Sequence, residues 1–165
     1  MKTTHQKVKT TVFPFVLPLA LLFCLLAVAM SGAVAGETAD SDSSVFGEPA
    51  HHVVIQVSTS DPQVQHVALN NAVNLQKRFG MDNVAIEIVS YGPGLSLMTK
   101  DSEYPERVTS MAKKGIRFSA CHNTMEGIKR KTGHMPELLD GVEVVPSGTA
   151  RIVILEEQGY AYVRP

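Results

Sequence analysis

Two rhythms of apolar and polar positions alternate along residues 51–165. Short apolar runs with strand character recur at residues 51–58, 84–91, 116–120, 142–146 and 160–164. Helical spacing fills the stretches between them. Asp61 and Pro62 supply a cap and a first helical position, and apolar residues at Val64, Ala68, Leu69, Ala72, Val73 and Leu75 lead to Phe79, with Gly80 as the stop. A second helix opens at Tyr104-Pro105-Glu106 and runs through Val108 and Met111 to Lys114, stopped by Gly115. A third begins at about Asn123 and ends at Gly133, with Lys129, Arg130 and Lys131 in its last turn, where cations complement the helix dipole. Leu95 to Met98 and Met135 to Leu139 each read as one short helical turn. Residues 150–158 are ambiguous, since Ile152-Val153-Ile154-Leu155 alone reads as a strand. Ser147 and Thr149 before it, and Glu156, Glu157, Gln158 and Gly159 after it, decide for a helix. Strands alternating with helices predict an α/β fold, a mostly parallel sheet with helices on both faces.

Residues 115–127 concentrate the candidate chemistry. Ile116, Phe118 and Ala120 alternate with Arg117 and Ser119, so Cys121 falls at the carboxyl end of a strand. Asn123 and Thr124 are N-cap types, and Glu126 stands three residues after Asn123, as in a capping box. Ligands bind at the carboxyl edge of open parallel sheets. The free N–H groups and positive dipole end of a helix start there favour thiolate over thiol. The competing reading is a small, inert, buried cysteine.

The first 35 residues change the setting. Lys2, Lys7 and Lys9 precede an apolar run over residues 12–30, and Ala33-Val34-Ala35 follows in a cleavage pattern. This is a signal peptide cut after Ala35, with an uncleaved N-terminal membrane anchor as the alternative. Cys24 is no lipoprotein site, because Phe23 stands where a small residue is needed. The folded domain is therefore expected to be exported, to a periplasm or an equivalent space. Three of the 15 bases lie in the leader and none of the 16 acids does, so the mature chain carries 12 bases and a formal net charge of −4. Such a charge argues against nucleic-acid binding and against an anionic membrane surface. Residues 36–50 are polar and acidic and read as a disordered linker, and residues 51–165 suit one domain. Cys121 has no cysteine partner in the mature chain, which leaves a core residue, an intermolecular bridge or a reactive thiol.

Other signals are weaker. Gly92-Pro93-Gly94 is a turn at the same sheet edge and is neither a dinucleotide fingerprint nor a P-loop. Asn70, Asn71 and Asn74 read as a solvated helix face. Cys121, His122 and His134, with His51 or His52, do not form a recognised zinc spacing. No cofactor motif is present.

Three blocks together resemble the DsrE/DsrF-like family. They are Phe118-x-Ala120-Cys121-x-Asn123-Thr124-Met125, Val144-Val145-Pro146-Ser147-Gly148-x-Ala150-Arg151, and Gln158-Gly159-Tyr160-Ala161-Tyr162-Val163-Arg164-Pro165. The resemblance covers residues 51–165. It implies a three-layer α/β/α sandwich around a five-stranded parallel sheet, and a homo-oligomer, trimer or hexamer. It also implies a sulfur carrier, with a persulfide held on Cys121 between donor and acceptor proteins, rather than a stand-alone enzyme. His122 would assist as a positive charge or proton acceptor, or simply face solvent. Asn123 and Thr124 would cap the helix, and Ser147 and Gly148 would add N–H donors at the same edge. An export signal departs from the mostly cytoplasmic sulfur-relay members. Two other classes stay open, a ligand-binding or regulatory module with a structural cysteine and a metal-binding protein.

Overall fold

The computed structural model of the chain describes residues 47–165. The leader, Cys24 and most of the linker lie outside these residues. The described chain enters without regular structure over 47–50, and the Ala50 N–H donates to Asn83 Oδ1 at 3.2 Å.

Five strands form one sheet: β1 (His51–Val57), β2 (Val84–Ser90), β3 (Arg117–Cys121), β4 (Val142–Val145) and β5 (Ala161–Val163). Their spatial order is β4-β3-β2-β1-β5, and every pairing is parallel. Four helices connect them: α1 (Pro62–Phe79), α2 (Pro105–Lys113), α3 (His122–Thr132) and α4 (Gly148–Glu157). The sheet steps one way from β1 to β4, then returns past β1 to β5. Parallel crossovers are right-handed, so reversing direction moves the connecting helix to the other face. The packing follows: Leu69 of α1, Val108 of α2 and Met125 of α3 share one core with Ile55, Ile88 and Phe118. Ile152 and Leu155 of α4 instead pack on Val54 and Val89 from the opposite face. This is a three-layer α/β sandwich whose second outer layer, among the described residues, is α4 alone. No helix among the described residues is long and apolar enough to cross a membrane.

The helix ends obey the capping chemistry of the sequence. Asp61 accepts the Gln63 N–H at 2.8 Å with Pro62 at the first position, and Gly133 closes α3 in the left-handed conformation. The ambiguous 150–158 stretch is helix, started by Ser147, whose hydroxyl accepts the Ala150 N–H at 3.4 Å. Two expectations fail. Neither Asn123 nor Thr124 caps α3: the chain passes from strand to helix without a loop, so Cys121 is itself the N-cap and no side chain caps the turn. The 135–139 stretch is not helical. Pro136 biases Met135 toward extended backbone, and the segment finds partners across from it. Leu139 N–H donates to Met98 O at 2.9 Å, and the Lys100 N–H to Glu137 O at 3.0 Å.

Gly92–Met98 forms a 3-10 segment over the sheet edge. A Cβ on Gly94 would sit on the Val57 carbonyl and 2.8 Å from Ser58 N, so this glycine admits the protein's own backbone rather than a ligand. Gly94→Ala is expected to cost about 1–3 kcal/mol, as overpacking against rigid backbone does, measured by urea unfolding.

Candidate functional site

The one reversal in the sheet fixes where a crevice opens. After β3 the chain turns to α3 on one face, and after the adjacent β4 it turns to α4 on the other. Such a switch point, outside the carboxyl ends of the strands, is where parallel α/β folds bind ligands. Cys121 ends β3 and pairs with Val145 of β4, one residue before Pro146 and the α4 cap. Its side chain follows Arg117 and Ser119 to the α4 face. A Cβ added to Gly148 would lie 3.3 Å from Cys121 Cβ and 2.9 Å from Tyr91 Cβ, so only glycine lets the α4 backbone come this close. The thiol is thereby held between the first turns of two helices, and both dipoles favour its anion.

Cys121 is only 4% exposed, and burial pushes its pKa up. The Thr124 hydroxyl and the N–H groups of Gly148, Thr124 and Asn123 outweigh that and hold the thiol below its ordinary value. The Asn123 N–H is shared with Pro146 O at 3.3 Å, which makes it the weakest of these donors. Thr124 is not a cap. Its Oγ1 accepts the Gly92 N–H at 2.9 Å, which directs the hydroxyl proton toward the sulfur. Thr124→Val, which keeps shape and removes the hydroxyl, is expected to raise the Cys121 pKa by about one unit, the worth of one hydrogen bond to a charged group. Thr124→Ser should retain the low value. The pH dependence of alkylation at the Cys121 peptide reads both.

Sequence reasoning missed the polar cluster behind the thiol. Glu87, in the middle of the apolar β2, has a side chain only 1% exposed. Arg151 of α4 grips it with two bonds of 2.7 Å, Nε to Oε1 and Nη2 to Oε2. The Ser119 hydroxyl donates to Oε1 at 2.6 Å, and Arg117 Nη1 approaches Oε2 at 3.3 Å. Burial alone would raise the Glu87 pKa, but the hydrogen bonds from Arg151 and Ser119 and the charges of Arg151 and Arg117 bring it below the ordinary carboxylate value. In turn the Glu87 carboxylate raises Arg151. The signal was present: a glutamate inside a buried strand requires a cationic partner, and Arg151 interrupts the apolar side of α4.

The remaining expected residues divide. Gly148 reaches the thiol and Ser147 caps α4 beside it. His122 points outward, half-exposed, with Nε2 3.9 Å from Glu126 Oε1. His51 stacks on Phe79 and His52 lies edge-on to Tyr160, both at the start of β1, while His134 bonds within the turn after α3. These histidines do not converge on Cys121, and no group of three or more metal-binding side chains occurs among the described residues. Asn70 faces α2, where its Oδ1 accepts from Arg107 at 2.9 Å. A cleft of about 930 Å³ opens between the 3-10 segment and α3, lined by Gly92, Leu95, Ile128 and Lys131. Thr124 is its common wall with the thiol, which itself does not line the cleft.

No protein-family description and no curated protein matches the chain. Among solved structures it is similar to MTH1491, a protein of unknown function from Methanobacterium thermoautotrophicum. The two are 34% identical with a TM-score of 0.63, and the match covers 70% of this chain and 99% of that one.

Proposed function

The chain belongs to the same family as MTH1491, that protein of unknown function, and from the chemistry of its own site we propose that it is an exported sulfur carrier whose Cys121 holds a persulfide. One observation carries this reading: a thiol at the switch point of the sheet, ringed by donors from α3 and α4 that hold it below its ordinary pKa. The resemblance of the three sequence blocks to the DsrE/DsrF-like family supports it. In the loading step the Cys121 thiolate attacks the outer sulfur of a donor persulfide. A sulfur–sulfur bond forms at Cys121, the donor's bond breaks, and the donor leaves as its thiolate. An acceptor thiolate then attacks the outer sulfur of Cys121–S–SH, and Cys121 leaves as thiolate. Each exchange moves one sulfane sulfur with no external oxidant. A low thiol pKa helps twice, as a high thiolate fraction in attack and as a good leaving group in discharge.

The reading is tested by incubating the protein with polysulfide and mapping the Cys121 peptide by mass spectrometry. The expected result is a gain of one sulfur atom that reductant removes. An unmodified peptide would leave a structural cysteine instead.

Two further parts of the proposal rest on other residues. Val153 and Ile154 on the outer side of α4 are 48% and 44% exposed, and Tyr162 is 42% exposed, although its hydroxyl donates to Gln56. Tyr160 is spent inside, against the α4 cluster. These apolar groups on a single-helix layer support a homo-oligomer, a trimer or a hexamer, and light scattering that gave a monomer at micromolar concentration would contradict it. Export rests on Lys2, Lys7, Lys9, the apolar run and Ala33-Val34-Ala35. N-terminal sequencing should find Gly36 first; an intact Met1 on membrane-bound protein would replace cleavage with anchoring.

A further inference from the structure

We propose that Glu87 and Arg151 are positioning residues for Cys121: their buried fork pins the first turn of α4 so that the Gly148 N–H stays directed at the sulfur. The inference rests on the thiolate reading above and goes beyond it. Arg151 lies three residues after Gly148, on the first turn of α4, and its two 2.7 Å bonds reach down to Glu87 on β2. Ser119, which completes the carboxylate's shell at 2.6 Å, lies two residues before Cys121 on the same face of β3. A single rigid unit therefore runs from β2 through β3 to the helix that covers the thiol.

One backbone bond, from the Asn123 N–H to Pro146 O at 3.3 Å, holds the chain just before α4, and the other anchors of the helix do not fix the orientation of its first turn. Ile152 and Leu155 pack on Val54 and Val89 farther along the helix. The Ser147 cap bonds only within the helix's own first turn. Apolar contacts restrain distance but tolerate sliding, whereas a bidentate arginine–carboxylate pair also fixes orientation. A buried ion pair is a poor device for stability alone, since apolar residues of similar volume serve as well or better. Orientation is what the pair adds. It matters here because Gly148 has its neighbours at 2.9–3.3 Å of an added Cβ, so a small shift of the turn moves its N–H off the sulfur.

The charged and titratable groups on the strands and on the helix starts around the thiol are Glu87 and Tyr91 on and after β2, Arg117 on β3, His122 and Glu126 on α3, Glu143 on β4 and Arg151 on α4. None of these is a hydrogen-bond donor to the sulfur. The pair acts through the backbone it holds.

The test is the pH midpoint for iodoacetamide alkylation of Cys121, followed on its own peptide in the full-length chain. Wild type is compared with Glu87→Gln, which keeps the shape and removes the charge, and with Arg151→Lys, which keeps the charge and removes the fork. Far-UV circular dichroism and urea unfolding establish that each variant is folded. Both folded variants are expected to show a midpoint raised by about one unit, a tenfold loss of thiolate below the midpoint. A charge effect alone would move Glu87→Gln and leave Arg151→Lys unchanged, and that result overturns the positioning role. Folded variants with the wild-type midpoint overturn it as well. If only one variant folds, that variant decides; if neither folds, the pair is a folding element and the proposal is rejected. A wild-type midpoint at the ~8.5 of a free thiol would instead remove the thiolate reading itself.

Discussion

Cys121→Ser is expected to abolish sulfur loading completely while the domain stays folded. The hydroxyl that replaces the thiol remains among the same donors, from Thr124 and Gly148, so the site keeps its hydrogen-bonding partners. What is lost is the nucleophile: a serine hydroxyl in this setting has no adjacent base to take its proton, since His122 points outward beside Glu126. The structural cost should stay within about 1 kcal/mol, the size of one neutral hydrogen bond. Polysulfide treatment followed by peptide mapping measures the loss, and urea unfolding measures the cost. A variant that still gained reducible sulfur on the described domain would place the carrier elsewhere. A variant that unfolded would return Cys121 to a packing role.

The second large effect is on stability. Glu87→Ala leaves the Arg151 guanidinium without its partner and removes the acceptor of the Ser119 hydroxyl. Breaking one side of a buried ion pair costs about 3–5 kcal/mol. The lower end applies here, because the Arg151 side chain is 24% exposed and can be rehydrated in part. The loss should also depend on pH, with a sign that follows from the direction of the shift. The folded pKa of Glu87 lies below its ordinary value, so its contribution is complete above the unfolded carboxylate pKa of ~4.3 and disappears as pH falls through the depressed folded value. The gap in unfolding free energy between wild type and Glu87→Ala should therefore be constant at neutral pH and narrow in acid. A gap that stayed open below the carboxylate range would mean that packing, not charge, made the difference.

Local chemistry made most of the fold legible. Asp61-Pro62 and Gly80 bracket α1, Gly133 ends α3, and Ser147 with Gly159 turned an apolar run that reads as strand into α4. Each of these signals acts within a few residues of the backbone it controls, so one chain suffices to read it. The place of Cys121, at the end of a strand and the start of a helix, is legible for the same reason, from strand alternation followed by cap-type residues. What escaped was non-local. Arg151 and Glu87 are 64 residues apart, and their meeting depends on α4 crossing to the far face of the sheet. Gly148 is an expected N–H donor at this edge, but its close approach to Cys121 and Tyr91 shows only once β4 is seated beside β3. The start of α3 was misplaced because a strand that feeds a helix without a loop leaves the cap to its last residue, here a cysteine. The 135–139 turn failed because its backbone partners, Met98 and Lys100, lie on a distant segment.

Loading by itself does not distinguish a carrier from any reactive thiol, because a carrier must also hand its sulfur on. The most direct measurement is a pulse and chase with radiolabelled polysulfide. Label is placed on the protein, excess is removed, and free cysteine is added as the acceptor. The account predicts that label sits on Cys121 after the pulse and leaves it in the chase, one sulfur lost from the protein for each one gained by cysteine. A protein that took up no label at Cys121, or that kept it against the acceptor thiol, would contradict the account.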